Sequence, residues 1–104
     1  MHRKLPILFF LFIAFTAFGQ KSVIDSLKNV LNKEQKQDSL RISRLLDLSY
    51  QYRGTALDTA HIYITEALNI SLSIKDKEKE GMSRMWLAQN FKRKGQYPEG
   101  LEQI

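Results

Sequence analysis

The residues that could do chemistry are few in this chain, and they are badly spaced for it. Of 104 residues two are histidines and none is cysteine. Without cysteine there is no disulfide framework, no thiolate metal site and no thiol nucleophile. His2 stands in a basic head, and His61 has no second histidine near it to share a metal ion. Acids are plentiful, but Glu78 and Glu80 lie in a run of alternating charges with nothing apolar to bury them, so neither is poised as a general acid. No glycine-rich phosphate loop, no His-Glu-x-x-His and no Gly-x-Ser-x-Gly occurs. The triplet Asn69-Ile70-Ser71 has the form of a glycosylation acceptor but falls within a helical pattern, and it is read as chance. No catalytic residue, cofactor or metal is expected, and the chain reads as a non-enzyme.

What remains is recognition by charge and shape, and the compartment decides which charges count. Met1 to Lys4 is basic, and Leu5 to Phe18 is an apolar run of 14 residues interrupted only by Pro6 and Thr16. A bilayer-crossing helix needs about 20 such residues. Small residues at Ala17 and Gly19 then allow a cut before Gln20, so residues 1–19 read as a secretory signal peptide and the protein as exported and periplasmic. Contact with a membrane is expected only through an uncleaved leader or a span beyond Ile104. Without the leader, 14 basic and 11 acidic residues remain, a net of +3 in place of the formal +5. Nucleic acid is not an expected partner; a helical DNA-binding module would require the leader to stay in a cytoplasmic product.

The elements that position the remaining side chains are all helical, because no stretch alternates as a strand does. Ser22 to Asp25 has the spacing of a capping box ahead of Ile24, Leu27 and Leu31, and residues 20–37 form a lead helix and link. A second helix opens at Asp38-Ser39 and ends near Gly54; Asp58 or Thr59 caps a third. Residues 75–80 read as a charged linker. A fourth helix runs from about Gly81 to Lys94 and stops at Gly95, and Pro98 suits the first turn of a fifth.

Two stretches of this pattern repeat. Leu48-Ser49-x-x-Tyr52 corresponds to Leu87-Ala88-x-x-Phe91 at an offset of 39, and Leu57 to Ala60 corresponds to Tyr97 to Gly100 at an offset of 40. Periods of this length belong to stacked helical hairpins. Small residues such as Ser49, Ala60, Ala88 and Gly100 let backbones approach while Leu48, Tyr52, Ile64, Ala67, Leu87 and Phe91 fill the space beside them. The pattern resembles the tetratricopeptide repeat (TPR), and it implies an all-α solenoid of antiparallel hairpins, repeat 1 over residues 38–74 and a truncated repeat 2 over residues 81–104. It departs from the usual signature at Leu45 and Arg84, where an aromatic is customary, and in a spacing above 34. The whole layout, with a leader ending Phe-Gly-Gln, an Ile-Asp-Ser-Leu helix and Tyr50 to Arg53, is similar to exported repeat proteins of Bacteroidetes. In that group such repeats form the periplasmic input region of sensor histidine kinases or membrane-bound regulators, or stand alone as scaffolds.

Such a solenoid offers a concave surface to a protein or peptide. Residues one step round from the packing stripe are Leu46, Tyr50 and Arg53 in the first copy and Met85, Gln89 and Lys92 in the second. These are the candidate groove residues, with Arg53 and Lys92 suited to an acidic ligand. The incomplete second repeat is also expected to leave a surface for self-association.

Overall fold

The computed structural model describes residues 4–103, and the side chains from residue 19 onward except those of Tyr97 and Leu101. Five helices follow one another: α1 Lys4–Lys33, α2 Ser39–Gln51, α3 Leu57–Ile74, α4 Lys77–Arg93 and α5 Tyr97–Leu101. Each packs on its neighbour in sequence, and α2 also meets α4. No strand occurs among the described residues, so the fold is all-α.

The order of contacts fixes the directions. Gln20 donates from its side-chain amide to the carbonyl of Gln51 at 2.9 Å, and Arg41 reaches the carbonyl of Leu31 at 3.0 Å, so α1 runs antiparallel to α2. Asn90 donates to the carbonyl of Leu57 at 3.1 Å, which sets α4 antiparallel to α3. The Ser39 hydroxyl meets the Asp76 carboxylate where α2 and α4 both begin. Those two helices are therefore parallel and side by side, the inner layer of a solenoid whose outer layer contains α3.

The core lies where α2 is enclosed by α1, α3 and α4. Ile42, Leu45, Leu48, Ile64 and Ala67 have almost no exposed surface, and Leu31 and Leu87 join them. Three serines are buried in the same region. Ser49, Ser71 and Ser83 each return their hydroxyl to a carbonyl of their own helix, at 2.7, 2.7 and 2.8 Å. Small volume at these positions lets helices close up, and the internal bond spares the cost of an orphaned hydroxyl.

Helix ends explain where the sequence expectations hold and where they do not. Asp38 caps α2, its carboxylate accepting from the Arg41 backbone at 2.9 Å. Gly95, at φ 78°, ends α4, and Gln96 donates back to the carbonyl of Phe91 at 2.8 Å. Lys75 takes the same left-handed conformation after α3, at φ 60°, at a steric cost of about 1 kcal/mol that glycine avoids. Pro98 falls in the first turn of α5. At Gly100 a Cβ would stand 3.0 Å from the carbonyl oxygen of Ala88, so glycine lets α5 lie on α4.

Three expectations are corrected. The Ser22 to Asp25 box does not start a helix, because α1 is continuous through it and the backbone donors there already have helical acceptors. Neither Asp58 nor Thr59 caps α3; the cap is Ala56, with no side-chain bond, and Asp58 stands in the first turn. Residues 75–80 are not a linker. Only Lys75 and Asp76 separate the helices, because Asp76 caps α4 by accepting from the Lys79 backbone at 3.1 Å and the charged run becomes its first turn.

Candidate functional site

The surface between the parallel helices α2 and α4 is the place where exposed apolar side chains from successive hairpins meet. Tyr50, 43% exposed, sets its ring against that of Trp86 at 5.6 Å between centroids and 69° between planes. This edge-to-face geometry is the favoured one for aromatic pairs. The Arg53 guanidinium lies over the Tyr50 ring at 3.4 Å and is tied down by a 2.9 Å bond from Nη1 to the Tyr50 carbonyl. Stacking leaves the other hydrogen-bonding edges of the guanidinium directed away from the ring, ready for a carboxylate. Met85 is 52% exposed, and Gln89 and Lys92 are exposed further along α4.

The proposed groove residues do not all gather here. Leu46 is only 3% exposed and belongs to the core, a correction to its place in the groove. The reason is that α2 has neighbours on three sides, so its buried arc is wider than one stripe. Trp86 joins the groove although it stands out of phase with the repeat, so the repeat offset does not point to it. The repeat equivalent of Tyr50 is Gln89, but Tyr50 packs diagonally on the residue one turn earlier. The signal was present: Trp86 is the only tryptophan in the chain.

Behind the groove the packing residues are placed as follows. Leu48, Ser49, Ala60, Ile64, Ala67, Leu87 and Gly100 are buried, Ala88 is half-buried, and Tyr52 and Phe91 pack partly buried against the core. The side chain of Tyr97, and Ile104, lie outside the described residues. Tyr52 stacks on Tyr63 of α3 at 6.0 Å. Phe91 takes the edge of His61 at 5.3 Å, so the histidine is a spacer between α3 and α4.

His61 also contributes to the chain's sensitivity to acid. Burial holds its imidazole below the ordinary value of 6.5, with Lys94 acting in the same direction and Asp58 opposing them, and its Nδ1 is buried without a partner. The unfolded chain therefore binds this proton more readily, and the contribution of neutral His61, complete above pH 6.5, is lost as pH falls through its depressed value. Asp58 is held low by its 2.8 Å pair with Lys94, and Asp76 by the Ser39 hydroxyl and the Lys79 backbone; these contributions are present above the ordinary 3.8 and vanish at stronger acidity. Melting temperature should thus fall in two steps on acidification. A His61→Gln variant should lose the upper step and keep the lower one, as followed by circular dichroism from pH 8 to pH 3.

Among the described residues no cluster of His, Asp and Glu could hold a metal ion, and no helix is long and apolar enough to cross a membrane. Residues 19–104 match the family model described as the SusR N-terminal TPR domain. The chain belongs to that family. No curated protein and no solved structure matches it. Membership in the SusR N-terminal TPR family agrees with the antiparallel pairs and the parallel inner helices, and identifies the chain as a protein–protein interaction module. The family match begins at Gly19, directly after the apolar run of residues 5–18.

Proposed function

We propose that this TPR domain is the exported, periplasmic input segment of a bacterial signal-transduction protein, such as a sensor histidine kinase or a membrane-bound regulator, and that it binds a peptide segment of its partner between α2 and α4. Residues 38–74 act as the first repeat, and the second, expected from residue 81, opens with α4 at Lys77. The observation that carries the reading is the Tyr50–Trp86 contact, an exposed tyrosine against a half-buried tryptophan, contributed by the inner helices of both hairpins. Aromatic anchors beside an arginine are the residues that dominate binding energy at protein interfaces. The stacked Arg53 and the exposed Lys92 favour a ligand with an acidic residue beside an apolar one. Export is supported by the leader and by the position at which the family match starts.

Trp86 provides the measurement, since no other tryptophan contributes to the emission. Peptides selected from a displayed library against the full chain should shift its fluorescence on binding. Tyr50→Ala should weaken them by tenfold or more, and reversing Arg53 and Lys92 to glutamate should remove the preference for acidic sequences. Selected peptides that bind Tyr50→Ala with unchanged affinity and leave the emission unmoved would defeat the groove. Mass spectrometry of the exported product tests the compartment separately, with Gln20 expected at its start.

A further inference from the structure

Charge is segregated along the helices. One end of the stack collects the start of the exported part of α1, the close of α2 and α4 and the opening of α3 and α5. That end carries Lys21, Arg53, Lys92, Arg93 and Lys94 against only Asp58 and Glu99. At the opposite end, residues 33–38 and 75–80 hold five basic and five acidic residues and cancel. The charges between the ends also balance, so the whole net +3 of the exported part lies on one end. A second, independent fact concerns the same end. Because Gln20 is bonded at the close of α2 and α1 is antiparallel to it, the Lys4 to Gly19 half of α1, with its apolar run, continues outward from the basic end.

We infer that this basic end docks on an anionic lipid surface, with the apolar run of α1 entering the same membrane. The inference depends on reading Leu5 to Phe18 as a membrane-directed leader; it shares Arg53 and Lys92 with the groove between α2 and α4, whereas Lys21, Arg93 and Lys94 belong to the basic end alone. An acidic protein would match the charge alone, whereas a membrane matches both the charge and the apolar segment beside it. The two signals act together: a short apolar segment gives reversible binding, and a basic cluster next to it converts that into firm attachment to anionic lipid. Removal of the leader then leaves only the electrostatic part, which salt weakens.

The test uses the full chain with its leader, mixed with vesicles of phosphatidylcholine alone or of phosphatidylcholine with phosphatidylglycerol. Co-sedimentation should be stronger with phosphatidylglycerol and should fall as salt rises. Reversing Lys21 and Arg93, which the groove does not use, to glutamate should cut partitioning to the anionic vesicles by about tenfold or more, while reversing Lys33 and Lys77 at the opposite end should leave most of it. Circular dichroism of both variants checks that helix content is kept. Equal losses from the two reversals would overturn the inference, as would equal binding to both vesicle types. Capture of poly-glutamate without any preference for phosphatidylglycerol would overturn it in favour of an acidic protein.

Discussion

Replacing Arg41 with alanine is expected to lower the unfolding free energy by about 3 kcal/mol, a large share of the ~4–13 kcal/mol that a domain of this size holds. Arg41 donates from Nη1 to the carbonyls of Leu31 and Glu34 at 3.0 and 3.1 Å, and from Nη2 to Glu66 at 3.2 Å. Its side chain is 14% exposed. One guanidinium thus closes the end of α1, supplies positive charge where that helix terminates, and reaches across to α3. Lysine keeps the charge but has no planar fork to span three acceptors, so Arg41→Lys should recover only part of the loss. The effect should be uneven. Arg41 ties down the end of α1, whereas Trp86 stands on α4, so circular dichroism should report lost helix at a lower denaturant concentration than tryptophan emission does.

Leu48→Ala should cost about 3–5 kcal/mol and behave differently. Leu48 is fully buried on α2, in the core shared with α3 and α4. Truncation leaves a void between helices that are already pinned by other contacts, so little collapse can relieve it. Here both probes should fall together in urea, because the core joining both hairpins is weakened. Separate transitions for the Leu48 variant would show that the hairpins unfold independently of this core.

Helical periodicity and punctuation were legible in the sequence because they are local. Asp38, Gly95 and Pro98 act on bonds within a few residues of themselves, and each stands at a helix boundary. The same locality misled at Ser22, where a cap-like spacing lies inside a helix that has no reason to stop, and at Glu78 and Glu80, where a charged run is the favourable first turn of α4. Leu46 could not be placed from its own helix, since its burial depends on how many neighbours α2 acquires. Trp86 depended on a diagonal contact between repeats that equivalence by offset does not reveal.

Two side-chain contacts, at opposite ends of the seam between α2 and α4, have a mechanical consequence. Ser39 meets Asp76, and Tyr50 meets Trp86 at nearly the same distance along both helices, about 16 Å further on. Parallel rods fastened at two separated points cannot slide past each other or splay. The freedom left to adjacent hairpins is rotation about the line through the two fasteners, so a guest that loosens the aromatic one frees the rods to open like a pair of compasses from the other.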